Sequence, residues 1–278
     1  MTNAKKRLGI IGFGNMGSSI AFGVRASFEV CVFDKDKQKL ANNNGLKTET
    51  LIVNLVKNSD VIILAVKPQD FDIVLEEIKS FIKGKLVISI AAGITTGYIE
   101  KILKKSRVVR AMPNLAVKIL AAETSLAKGK YAKEEDLNFA RELFGLLGKV
   151  WVINEEMIDS ATAISGSGPA YIFYDMEISK LDHSNIPVER KNGYIHRLKQ
   201  AALDVGFDSK MALDLAICTV ASSIQLLAQT GISPEEMRKM VTSAGGTTEA
   251  ALKVLSGNGS WPEAALAARK RAQELSKS

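Results

Sequence analysis

The sequence predicts an α/β fold, a doubly wound parallel sheet followed by an all-helical domain. Three observations carry this expectation: short β-rich apolar runs alternate with helical patterns in the first half, strand signals nearly vanish after Asn154, and a glycine fingerprint sits at the first strand-to-helix junction. With 278 residues, 46% of them hydrophobic and 24% charged, the chain can bury two cores and is not a disordered or collagenous sequence.

Residues 8–11 form the first strand, 16–24 a helix and 30–33 a second strand, a βαβ unit. Residues 61–66 and 86–90 are continuous apolar runs, as expected of parallel strands covered on both faces. Helical patterns over 71–82 and 96–103 lie between and after them. Residues 107–110 continue the sheet, 134–147 read as a helix, and 149–152 as the last strand, which closes a first domain at 1–153. From 154 to 278 the patterns are helical, over 157–164, from Ala170 onward, and over 211–230, 234–241, 248–255 and 262–275. Residues 178–198 interrupt this half with Asn185, Pro187, Asn192 and Gly193. With that stretch taken out, Met176 is followed by Ala201, Ala202 and Val205 at helical spacing, which predicts a surface excursion inserted in one helix. The alternatives are that His183 or His196 reaches the active site, or that Arg190, Lys191 and Arg197 bind an anion.

Composition narrows the function. A net charge of +7 with only 6% aromatic residues offers no stacking platform for nucleic acid and favours anionic small molecules. Cys31 and Cys218 form neither a disulfide framework nor a metal cluster, which fits a reducing cytoplasm. The basic residues 5–7 precede an apolar run that stops at Gly12, too soon for an export segment. Residues 215–233 carry no charge, but Thr219, Ser222, Ser223, Gln225, Gln229 and Thr230 punctuate them, so they read as a buried helix and not a membrane span. Its apolar surface exceeds what a small helical domain covers alone, which predicts a homodimer or higher homo-oligomer.

Gly12, Gly14 and Gly17 follow the first strand and open a helix, and Asp34 ends the second strand about 20 residues on, the Rossmann-type dinucleotide fingerprint in its confirming context. The first glycine permits the turn, the second a close approach of pyrophosphate, and the third helix packing, while the helix N-terminus attracts the phosphates. Asp34 can accept from an adenosine ribose, which favours NADH; Lys35 and Lys37 can hold a 2′-phosphate, which favours NADPH. A second glycine-rich stretch, 242–248, precedes a helical pattern. It is either an anion-gripping nest or an N-cap turn. A third, 165–170, reads as a hinge with a proline at the start of a helix. The two histidines lie inside the interrupting stretch, so a histidine general base beside the cofactor motif is not expected, and neither a metal-ligand cluster nor a nucleophile elbow is present.

Taken in order, these motifs resemble pyrroline-5-carboxylate reductase. The matching stretches are Ile11-Gly12-Phe13-Gly14-Asn15-Met16-Gly17, residues 60–69 ending in Val66-Lys67-Pro68-Gln69, Ser89-Ile90-Ala91-Ala92-Gly93-Ile94, Arg110-Ala111-Met112-Pro113-Asn114, residues 162–170 and the loop 243–248. The resemblance implies NAD(P)H-dependent reduction of 1-pyrroline-5-carboxylate to L-proline, an amino-terminal cofactor domain and a helical half that dimerises and places substrate over the nicotinamide. It assigns Gly12, Phe13, Gly14, Asn15, Met16, Gly17, Asp34 and Lys35 to the cofactor. Val66, Lys67 and Pro68 would follow its ribose and phosphates, and Ser89, Ala91, Ala92, Met112 and Pro113 the nicotinamide side. Ser243, Gly245, Gly246, Thr247 and Thr248 would hold substrate, with Thr248 as the hydroxyl at the imine nitrogen, and the resemblance favours NADPH over NADH.

Four departures from the family accompany the match: Leu115-Ala116 for the common Thr-Pro, Ala244 for proline, Glu249 for an apolar residue, and the stretch 178–198. Ala244 predicts a looser substrate loop, and Glu249 would repel an anion if it pointed inward. Two other functions fit the layout less well. A hydroxyacid dehydrogenase lacks its catalytic lysine here, since residues 170–177 contain none, and a dinucleotide sensor without turnover has no need of the loop at 243–248.

Overall fold

The computed structural model describes residues 5–181 and 185–276. It forms two compact units, one from the residues up to Pro113 together with Thr124–Glu155, the other from Asn114–Glu123 and Glu156–Leu275.

The first unit is built on β1 (Arg7–Ile11), α1 (Asn15–Val24), β2 (Glu29–Phe33), β3 (Lys47–Thr48), α2 (Ile52–Asn58), β4 (Val61–Leu64), α3 (Phe71–Ile78), β5 (Leu86–Ser89), α4 (Thr96–Ile102), β6 (Arg107–Pro113), β7 (Ala122–Lys128), α5 (Glu134–Gly145) and β8 (Gly148–Val152). The strands form one sheet in the order β3-β2-β1-β4-β5-β6-β7-β8. β1 to β6 pair in parallel in the doubly wound order. Every residue of β4 and β5 is buried, which is why both read as unbroken apolar runs. α3 presents Phe71, Val74, Leu75 and Ile78 at helical spacing to a core shared with Leu55, Leu64 and Val87.

The sheet is not wholly parallel: β7 runs antiparallel to β6. The sequence reading passed over β7 because Ala-Glu-Thr-Ser-Leu-Ala-Lys lacks the β-branched apolar run of its neighbours. Six of its seven residues are nevertheless buried. The two-residue β3 and seven-residue α2 were missed because both are shorter than any window in which periodicity can show.

The second unit begins with α6 (Ile158–Ala161), a π-helical turn over Thr162–Gly166, and α7 (Gly168–Ile178). It continues through α8 (Val188–Asp204), α9 (Ser209–Thr230), α10 (Pro234–Val241), α11 (Thr247–Ser256) and α12 (Trp261–Leu275). Asp208 caps α9, its Oδ1 accepting from the N–H groups of Lys210 and Met211 at 2.9 Å. Although α9 is long and apolar enough to cross a membrane, half of it is buried in the unit, through Leu215, Ala216, Thr219, Val220, Leu226 and Leu227.

The expected excursion over 178–198 is corrected here. α7 and α8 are separate helices, not one interrupted helix, and most of the stretch is α8. Pro187 occupies the N-cap, immediately ahead of the first turn, where a missing N–H is harmless. Gly193 costs about 1 kcal/mol inside a helix, which burial of Tyr194, Leu198, Ala201 and Ala202 outweighs. Tyr194 and Leu198 are fully buried, and Tyr194 stacks on Trp261 with ring centroids 5.8 Å apart and planes 9° from parallel. Arg190 and Arg197 pair with Asp175 at 3.2 and 2.9 Å, and Arg197 lies over the Trp261 ring. Those two cations therefore clamp α8 to α7 and α12. His196 is exposed, and His183 lies outside the described residues.

Candidate active site

In the first unit, the register of the parallel strands sets Ile11 beside Leu64 and Leu64 beside Ser89, so the segments that leave them emerge along one edge of the sheet. These are the glycine loop, residues 65–68 and residues 89–92, the place where open α/β sheets bind ligands. Ser89 in turn lies beside Arg110 of β6, three residues before Pro113.

Gly12 has φ +100°, and a Cβ there would come within 2.5 Å of the Ala65 carbonyl oxygen. A Cβ on Gly17 would overlap the Gly12 carbonyl oxygen, whereas one on Gly14 would meet nothing within 4 Å. The loop is thus closed on its protein side and open at Gly14, where the backbone leaves room for a pyrophosphate. Gly14 is also the N-cap of α1, and no side chain caps that helix. The residues therefore fit a bound dinucleotide, with α1 offering its first N–H groups to the phosphates.

Asp34 does something the motif did not reveal. It is 8% exposed; its Oδ2 accepts from the Phe13 N–H at 2.7 Å and its Oδ1 from the Asp36 N–H at 2.9 Å. Lys39, which sequence reasoning missed, lies 3.5 Å from the same carboxylate. Asp34 therefore fastens the glycine loop to the end of β2. Lys35 is exposed and pairs with Asp70 at 2.5 Å. Val66 and Pro68 are half-buried, Lys67 is exposed, Ser89, Ala91 and Pro113 are buried, and Ala92 and Met112 are half-buried.

In the second unit, the turn at Ser243–Gly246 delivers the chain into α11. Gly246 N–H donates to the Ser243 carbonyl at 3.0 Å, Gly245 adopts φ +68°, and a Cβ on Gly246 would overlap the Ser243 hydroxyl. Glu249 does not point at an incoming anion: its carboxylate accepts from Gly245 N–H at 2.6 Å, while Arg271 Nε donates to the Gly245 carbonyl at 2.8 Å. These two bonds restrain the loop at the position next to Ala244. Gly246 caps α11 with no side-chain bond, so the helix presents its first N–H groups. Thr248, in that first turn, is 5% exposed and its hydroxyl donates to Ser167 Oγ at 3.1 Å; Thr247 Oγ1 lies 3.1 Å from the same oxygen.

Ser167 is the residue that the hinge reading overlooked. It follows the π-helical turn, in which its N–H reaches back five residues to the Thr162 carbonyl at 2.8 Å. Two residues later Pro169, having no N–H, leaves the Ser165 carbonyl without its helical donor. Asn114 Nδ2 supplies one at 3.2 Å. Asn114 Oδ1 accepts from the N–H groups of Ala116 and Glu123 at 3.3 and 3.1 Å, so Ala116, where the family commonly has proline, keeps a satisfied N–H. The proline at 169 was the readable signal: a proline so near a helix start implies a displaced turn and a donor from elsewhere.

The fold and these two constellations define a dinucleotide-dependent oxidoreductase with a separate helical unit. Residues 7–93 match the family model "NADP oxidoreductase coenzyme F420-dependent", and residues 193–275 match "Pyrroline-5-carboxylate reductase dimerisation". The chain is 35% identical to the pyrroline-5-carboxylate reductase of Methanosarcina acetivorans, covering 98% of each, and 33% identical to that of Arabidopsis thaliana, covering 98% of this chain and 96% of the relative. It superposes on the structure of a pyrroline-5-carboxylate reductase from Coxiella burnetii with a TM-score of 0.66 at 35% identity, covering 99% of this chain and all of that one. The chain belongs to the pyrroline-5-carboxylate reductase family.

Proposed function

We propose that the chain reduces 1-pyrroline-5-carboxylate to L-proline with a reduced nicotinamide dinucleotide. The observation that carries this reading is the start of α11, where uncapped backbone N–H groups and the hydroxyls of Thr247 and Thr248 stand together. A substrate that is both a carboxylate and a cyclic imine needs that pair of functions. The α11 N–H groups would hold the carboxylate, favoured by the helix dipole, and Thr248 would hold the imine nitrogen. The bound cofactor supplies the hydride. The protein's part is placement and electrostatic stabilisation, because a protonated imine is electrophilic without a covalent intermediate.

For the cofactor, α1 and the glycine loop would take the pyrophosphate, residues 66–68 the ribose and phosphate path, and residues 89–92 with Met112 and Pro113 the nicotinamide side. NADPH is the proposed form. Asp34 is turned to the backbone and neighboured by Lys39, while Lys35 and Lys37 lie exposed at the same strand end. The helical unit would form a homodimer through the region that matches the dimerisation model, and Cys31 and Cys218, neither of them in a disulfide, suit a reducing compartment such as the cytoplasm.

The test is consumption of NADPH or NADH with pyrroline-5-carboxylate, followed by loss of nicotinamide absorbance and by appearance of proline. Binding of dinucleotide without proline formation at any substrate concentration would replace this reading with that of a sensor.

A further inference from the structure

Two threonines with the same side chain stand at the start of α11, and the proposed substrate asks opposite things of them. A carboxylate needs a hydrogen-bond donor; a protonated imine, whose N–H carries the positive charge, needs an acceptor. A threonine hydroxyl has one proton and two lone pairs and can turn either way. What distinguishes the two is a third hydroxyl. Ser167 is fully buried, and its Oγ lies 3.1 Å from both Thr247 Oγ1 and Thr248 Oγ1.

We propose that Ser167 is a positioning residue that sets the direction of these hydroxyl protons. Ser167 accepts the Thr248 proton and gives its own to Thr247. Thr248 is then left with lone pairs toward the ring nitrogen, and Thr247 keeps a proton for the carboxylate. The assignment rests on the reading of the chain as a pyrroline-5-carboxylate reductase and adds a polarity to it. No proton needs to pass through Thr248: the protonated imine gains hydride at carbon, its C=N π electrons become the nitrogen lone pair, and the product leaves as a secondary amine that binds a further proton from water.

Local structure supports a dedicated placement. Ser167 ends the π-helical turn of Thr162–Gly166, and such turns recur at functional sites because they move one residue out of helical register. Here the residue moved is the one that meets two hydroxyls 80 and 81 positions along the chain. The next residue packs closely: a Cβ on Gly168 would come within 3.1 Å of Leu198 Cδ1, tighter than ordinary contact. The turn is thus held from behind by α8 and from the side by Asn114 on the Ser165 carbonyl.

The experiment compares two ligands on the full chain saturated with oxidised dinucleotide: proline, whose ring nitrogen donates, and tetrahydrofuran-2-carboxylate, whose ring oxygen only accepts. Dissociation constants are measured by calorimetry for the wild type, Ser167→Ala and Ser167→Cys. The cysteine variant keeps the side-chain shape with a poorer hydrogen-bonding atom and serves if the alanine variant does not fold. The expected result is a wild-type preference for proline that falls by about tenfold in Ser167→Ala, where the Thr248 proton is free to turn toward the ring. A smaller fall in the same direction is expected in Ser167→Cys. kcat should decline in parallel while dinucleotide affinity stays within twofold. An unchanged ligand ratio in a folded variant, including equal weakening of both ligands, overturns the assignment and leaves Ser167 a packing residue. If the wild type binds neither carboxylate and forms no proline, the functional reading itself falls, and the hydroxyl assignment with it.

Discussion

Asp34 and Thr248 show how a motif can place a side chain without revealing its partner. Asp34 stands where the fingerprint puts an acid, but its oxygens hold Phe13 and Asp36 N–H groups. Replacing it with alanine leaves the buried Phe13 N–H unanswered, at about 1–3 kcal/mol, and releases the Asp36 N–H to water. The expected outcome of Asp34→Ala is a loss of affinity for NADH and NADPH by similar factors, read by fluorescence titration; a loss confined to NADH would restore the ribose role. Thr248→Ala removes the hydroxyl assigned to the imine nitrogen and should lower kcat by about a hundredfold with little change in cofactor affinity. Equal losses in the two quantities would take Thr248 out of the substrate half. Asp34 was legible from its spacing after the glycines, and Thr248 from the resemblance of its loop to the family's. Lys39 and Ser167 were not, since each is defined by what it meets in space.

At the level of elements, legibility followed length and composition. β4, β5 and α3 announce themselves because burial on both faces, or on one helical stripe, leaves a pattern in the residues. β7 is buried but polar, and α8 was masked by a proline, two asparagines and a glycine that signal a break without enforcing one within the helix. The correction reverses one expectation. Deleting 178–198 removes Tyr194 and Leu198 from the core and should abolish the cooperative thermal transition. Leu198→Ala alone should cost about 2–5 kcal/mol in chemical denaturation. Tyr194 adds a pH signature. Burial, seconded by Asp175, pushes its phenol up to about 12 from 10.0. A raised pKa means that the fold holds the proton more tightly than the unfolded chain. This contribution is therefore complete below pH 10 and is lost between about 10 and 12. Tyr194→Phe should be less stable than wild type at pH 8 and recover part of the difference by pH 11.

For the molecule as a whole, the half-buried α9 carries the next consequence. Leu213 and Ile217 are 38% and 43% exposed, and Ala221 continues their line at helical spacing. This is the surface expected to meet a second copy. Ile217→Glu should shift the protein toward monomer in light scattering while leaving dinucleotide affinity intact; an unchanged assembly mass would move the interface elsewhere. The loss of strand signals after Asn154 is the sequence ground for expecting a division there. The membership of Asn114–Glu123 in the helical unit was not legible in the sequence, because it depends on partners far along the chain.

That membership bears on how the protein is made. Synthesis proceeds at about 5–20 residues per second and domains tend to fold as they emerge. Asn114 and Glu123 leave the ribosome before Ser165, which Asn114 answers, and well before Thr219, whose hydroxyl donates to the buried Glu123 carboxylate at 2.8 Å. The sheet can therefore be complete while a segment of the chain must wait, with an acid and an amide still in water, for helices not yet translated. The gene cannot be cut at residue 155 into two self-sufficient modules, and slowing translation between residues 123 and 219 would prolong the interval in which Asn114 Nδ2 waits for the Ser165 carbonyl and the Glu123 carboxylate for the Thr219 hydroxyl.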